Sequence, residues 1–216
     1  MYAFLLFGPP LAYVLLILRV YPREDAHATR RATVRGLLAA IPVWLLARLL
    51  GSLVPAAWGS PLLAFHEWAD RFLPYAVLPA LAYAVFYHYG ERLPAGQAAR
   101  RLTAFYAGAL SPLGLGEMTR IWGNPSAYSV LVLPLLFTAL ALAMPALVLA
   151  FFEEYGARRA LPVLAAVLAT LAASLVQWLF LARFWPLALL LAAGLAAAAW
   201  LYAAPGLLRR PPRPAA

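Results

Sequence analysis

The sequence predicts an all-α protein, a polytopic bundle of about seven transmembrane helices. Three observations predict it. Of the 216 residues, 65% are hydrophobic and the mean hydropathy is +0.81, whereas a soluble domain is about 45–50% apolar. The apolar residues come in runs long enough to cross the hydrocarbon core, for which a helix needs about 20. The arginines gather between alternate runs, the pattern that fixes orientation in a membrane.

The first apolar run, 2–18, has no positive residues before it and no clear small-residue cleavage site after it, so it reads as a retained span. Gly8-Pro9-Pro10 kinks it or delays its start. The loop 19–35 carries Arg19, Arg23, Arg30, Arg31 and Arg35. A loop so basic belongs on the cytoplasmic side, which places the N-terminus outside. The second span is 36–56, with Arg48 toward its outer end. Arg48 can snorkel to the interface or pair with an acid inside the bundle.

Residues 59–72 predict an interfacial helix on the outer face. Leu62, Leu63, Phe65, Trp68, Ala69 and Phe72 share one side, and His66, Glu67, Asp70 and Arg71 the other. Glu67 and Arg71 stand at i and i+4 and form a helix ion pair. His66 and Asp70 have the same spacing, and two such ligands amount to half a metal site at most. The third span is 74–90, and the loop 91–101 returns to the inside with Arg92, Arg100 and Arg101.

The fourth span, 102–116, reads as short and interrupted at Ser111-Pro112-Leu113-Gly114-Leu115-Gly116, with Glu117 and Arg120 beyond. Broken helices ending in polar groups build the midplane sites of many transporters, and a span that frays at the outer surface gives the same pattern. Glu117 and Arg120, at i and i+3, can satisfy each other in both cases. The fifth span, 127–152, holds Pro134 and Pro145 and ends at Glu153-Glu154. The sixth, 161–182, has Gln177 as its main polar group, and Arg183-Phe184-Trp185-Pro186 makes a tight outer turn. The seventh is 186–204. A single membrane domain thus covers 1–205, and 206–216 form a basic, proline-rich cytoplasmic tail near anionic lipid. Arg71, Arg120 and Arg183 fall outside, and the loop and tail arginines fall inside.

Composition also removes chemistries. All 17 basic residues are arginine, the net charge is +9, and cysteine is absent. Without lysine there is no Schiff base. Without cysteine there is no disulfide, thiolate metal site or cysteine nucleophile. The basic excess reflects topology rather than nucleic-acid binding, and the partners it implies are the lipid bilayer and other membrane proteins. The expected location is the cell membrane, crossed many times. No Gly-rich phosphate loop, GxSxG elbow or HExxH motif is present.

One segment carries a family signature. Glu153-Glu154-Tyr155-Gly156-Ala157-Arg158, followed by Leu161-Pro162, resembles the EExxxR motif of the CAAX-protease and bacteriocin-processing family of intramembrane metalloproteases. The span running to Trp185-Pro186 is similar to that family's second segment, so the resemblance covers Phe151 to Pro186. It implies a catalytic set of Glu153, Glu154 and Arg158, with Glu153 activating water. The family's downstream histidines have no counterpart, since no histidine follows His88 and Arg183-Phe184 stand in their place. The resemblance therefore implies a catalytically silent relative, with no cofactor.

Three functions follow. The first is a non-catalytic scaffold or accessory subunit. The second is a transporter or channel component using the broken fourth span with Glu117, Arg120 and Arg48. The third is an intramembrane hydrolase whose zinc site is built from His27, His88 and the two glutamates, with one glutamate free to act as base. Neither rival has a complete constellation, so the scaffold is the expectation.

Overall fold

A computed structural model describes residues 26–54, 62–88, 95–122, 126–153 and 156–208. The first predicted span, Glu154 and the tail from 209 lie outside the described residues, as do the side chains of Glu153 and His88.

All the elements are helical, with no strand among the described residues. They are α1 (Ala26–Leu53), α2 (Leu62–Glu67), the π-helical turn π1 (Trp68–Phe72), α3 (Leu73–His88), α4 (Ala95–Trp122), the π turn π2 (Tyr128–Val132), α5 (Leu133–Glu153), a 3-10 turn (Gly156–Arg159), α6 (Ala160–Leu181) and α7 (Trp185–Leu208). Among the described residues, three helical stretches are long and apolar enough to cross a membrane: His27–Leu53, Tyr128–Phe152 and Gly156–Leu181. Trp185–Ala199 is a shorter apolar helix. These helices make the chain a membrane protein.

Leucines and an isoleucine such as Leu38, Ile41, Leu45, Leu164 and Leu190 point outward, while alanines such as Ala32, Ala39, Ala109, Ala173 and Ala192 are buried. Small residues inside and large ones outside suit a bundle in lipid, where close backbone packing rather than water exclusion joins helices. The tightest example joins α1 and α4. A β-carbon added at Gly36 would run into the Phe105 carbonyl, and one at Gly108 into the Thr33 carbonyl. The two helices run parallel, because Gly36 meets Phe105 and, further along both, Trp44 meets Gly116. Larger core side chains, among them Phe72, Phe105, Leu136 and Met144, fill the space beyond the crossing.

Two sequence expectations are corrected here. The segment 59–72 is not a separate interfacial helix. Its described part, from Leu62, runs through π1 directly into α3, with right-handed helical angles at both junctions (Glu67 φ −63°, Leu73 φ −59°). Both of its sides are enclosed in part: Asp70 is buried on the polar side and Leu63, Ala69 and Phe72 on the apolar side, while Leu62 and Phe65 are exposed. Nor is the fourth span broken, since α4 is one helix of 28 residues with Pro112 inside it. Prolines persist in membrane helices where neighbours and hydroxyl side chains support the loosened backbone. Here the Ser111 hydroxyl donates to the Ala107 carbonyl at 2.7 Å, and α1 packs alongside. The second span also starts earlier than predicted, because α1 takes in Arg30, Arg31 and Arg35.

Candidate functional site

Five charged side chains meet at one end of the bundle. They come from the ends of α2 and α4 and from π1. Glu67 closes α2, Asp70 and Arg71 belong to π1, and Glu117 and Arg120 occupy the last turns of α4. Within a helix, positions 67, 70 and 71 fall on one face. A π turn inserts one extra residue per turn and shifts that face, a feature frequent at functional sites.

Glu117 is the centre of the cluster, with its side chain only 3% exposed. Its Oε1 accepts from Arg120 Nη1 at 3.0 Å, and its Oε2 lies 2.9 Å from Arg71 Nε. Arg120 Nη2 donates to Asp70 Oδ2 at 2.7 Å. Arg71 Nη1 lies 2.8 Å from Glu67 Oε2, so the i,i+4 pair read from the sequence is present. The two contacts of Arg71 with carboxylates are close but off-line and do not qualify as hydrogen bonds. Charge attraction holds them, since a bent hydrogen bond weakens steeply. Three carboxylates face two guanidiniums, so the fully ionised cluster carries one negative charge in excess.

A neutral shell surrounds the ions. Gln177 of α6 accepts from Arg71 Nη1 at 3.1 Å and from the Tyr128 hydroxyl of π2 at 3.2 Å. Trp68 Nε1 donates to the Thr170 hydroxyl at 2.9 Å, tying π1 to α6. His66 Nδ1 stands 2.6 Å from the Val54 carbonyl. A carbonyl only accepts, so this nitrogen carries the hydrogen. Nδ1 of His66 is thus tied to the end of α1 and Asp70 to Arg120. Gly51 makes room for Asp70, whose carboxylate occupies the space a β-carbon would need.

Each removal of an ion from water costs several kcal/mol, and a buried pair is tolerated when its geometry restores that loss. The cluster meets the condition by sharing. Each arginine contacts two carboxylates, and Glu117 contacts both arginines.

Of the residues predicted for a polar pathway, Glu117 and Arg120 come together. Arg48 does not join them. It is exposed, its guanidinium sits over the Trp44 ring at 5.5 Å from the centroid, and no carboxylate pairs with it among the described residues.

The residues predicted for hydrolysis are not assembled among the described residues. Arg158 is exposed on the 3-10 turn that follows α5. Gly156 starts that turn at φ +59°, in the left-handed region, so Arg158 does not continue the α5 helix. Glu154 and the side chain of Glu153 lie outside the described residues, and so does the His88 side chain. His27 is exposed on the first turn of α1. No group of three or more possible metal ligands occurs among the described residues.

Sequence reasoning passed over Glu67, Asp70, Arg71 and Gln177 as site members. The available signal was their predicted level: 67–71 and 117–120 both fall at the outer ends of spans, with Gln177 one turn deeper. The apolar spaces elsewhere are different in kind. A cavity of about 170 Å³ is walled by Val77, Met144, Phe151, Phe152, Pro162 and Val163 among others, all hydrocarbon. No protein-family model, curated protein or solved structure matches the chain.

Proposed function

We propose that this chain is a non-catalytic integral membrane protein that serves as a scaffold or accessory subunit. It crosses the cell membrane about seven times, with its N-terminus outside and its C-terminus inside. The observation that carries this reading is the closure of the ionic cluster. The charges of Glu67, Asp70, Arg71, Glu117 and Arg120 are directed at one another and fasten α4 to the α2–π1 turn. The ion-pair contacts of the cluster are all between its own members, and they hold helices together. The unbroken α4 removes the discontinuous helix on which the transport alternative rested.

The test is a flux assay in vesicles. The purified protein, reconstituted beside empty vesicles, should leave imposed proton, sodium and potassium gradients unchanged. A flux that needs the protein and disappears in Glu117→Gln would overturn the scaffold. Metal content addresses the hydrolase: stoichiometric zinc that is lost in a Glu153→Gln/Glu154→Gln double variant would overturn it as well.

A further inference from the structure

The crossing of α1 and α4 leaves a cleft on its outer flank. The helices touch backbone to backbone at Gly36 and Gly108 and then diverge. Between them opens a cleft of about 360 Å³, within the ~300–1,000 Å³ range of ligand sites. Its apolar part is built from Ala40, Ile41, Leu113 and Leu115. Gly116 lines it, and the indole Nε1 of Trp44 is 3.7 Å from where a β-carbon would stand. Further along both helices, Arg48 and Thr119 bring a guanidinium and a hydroxyl to the same cleft. The cleft therefore grades from hydrocarbon to cation along the helix axis.

Arg48 differs from Arg71 and Arg120 at this end of the bundle. Arg71 and Arg120 are each held by two carboxylates, whereas Arg48 has none among the described residues and rests on Trp44. An arginine fork matches phosphate oxygens in geometry and charge, and tryptophan favours the headgroup level of a bilayer. The surrounding faces of α1 carry exposed Leu38, Leu45 and Leu49, so hydrocarbon is the medium that reaches the cleft.

We propose that the α1–α4 cleft binds one anionic phospholipid, with an acyl chain along Ile41 and Leu115 and the phosphodiester on Arg48, since the Thr119 hydroxyl donates to the Gly116 carbonyl at 2.7 Å. The occupant must join an anion to hydrocarbon, because the cleft offers a cation at one end and apolar walls at the other. Free phosphate would use only the Arg48 end.

Native mass spectrometry of the full chain, with phosphatidylglycerol or phosphatidylcholine added to the detergent, tests this. The wild type should retain one phosphatidylglycerol in preference to phosphatidylcholine. Arg48→Gln should weaken that retention by about tenfold, the value of one charge-assisted hydrogen bond, while Arg48→Lys should keep most of it. Gly116→Leu, which fills the cleft and leaves the charge, should also weaken it. Equal retention in wild type, Arg48→Gln and Gly116→Leu would overturn the proposal, as would equal retention of the two lipids. Competition by inorganic phosphate with no effect of Gly116→Leu would reduce the site to a surface anion contact and overturn it too.

Discussion

Arg120 donates to Asp70 at 2.7 Å across 50 positions of sequence, and this bond joins the last turn of α4 to the π turn that leads into α3. Its other guanidinium nitrogen holds Glu117, so one arginine serves two carboxylates from two helices. The cluster is a fastening between segments that share little hydrocarbon contact at this level.

Removing its central acid should therefore be costly. Glu117→Ala takes one of two carboxylates from Arg71 and one of two from Arg120, leaving Glu67 and Asp70 as their remaining partners. Breaking a buried ion pair on one side costs about 3–5 kcal/mol. Denaturant unfolding in detergent should show a loss of up to that size, whereas Leu190→Ala, at an exposed position, should change stability by less than about 0.5 kcal/mol. Equal midpoints for Glu117→Ala and the wild type would contradict the fastening role.

The glycines of α1 and α4 make a second comparison. Gly36→Ala places a methyl against the Phe105 carbonyl and forces the helices apart; overpacking of this kind costs about 1–3 kcal/mol. Gly194→Ala meets open space on α7 and gains helix propensity, worth up to about 1 kcal/mol. The two substitutions are chemically identical, so opposite signs in one unfolding assay would isolate the crossing. A neutral Gly36→Ala would show that the pair is not packed as described.

The turn from α6 to α7 predicts a stabilising substitution. Arg183 sits at φ +64°, its amide bonds the Phe180 carbonyl at 3.1 Å, and the Phe184 amide bonds the Leu179 carbonyl at 2.9 Å. This is a Schellman helix end, whose left-handed position is usually glycine. A side chain there costs about 1–2 kcal/mol. Arg183→Gly should raise stability by about 1 kcal/mol, read as a higher unfolding midpoint. A lower midpoint would mean that the arginine makes a contact outweighing the strain.

The absence of cysteine permits a topology test on a clean background. Ser126 and Arg158 are both exposed, at opposite ends of the stretch formed by π2 and α5. Single-cysteine variants at these positions, probed with a membrane-impermeant maleimide on intact cells, should differ. Ser126→Cys should label from outside and Arg158→Cys after permeabilisation alone. Labelling of both from one side would sink the alternating topology.

The sequence by itself determined the class of this protein. Hydropathy and helix length depend on composition along the chain, so the apolar runs at 127–152 and 161–182 reappear as π2–α5 and α6 with little change of boundary. The Glu67–Arg71 and Glu117–Arg120 pairs were legible for the same reason, since helical spacing alone brings them together. What only the tertiary structure decided was direction. Whether the polar side of 62–72 faces water or protein depends on what stands opposite it, and the opposing groups, Glu117, Arg120 and Gln177, are remote in sequence. The same holds for Pro112. A proline in a glycine-rich stretch reads as a break when only local backbone preference is counted, but α1 packed along α4 supplies the contacts that keep the helix whole. Periodicity is a local property, and the partner of a buried charge is not.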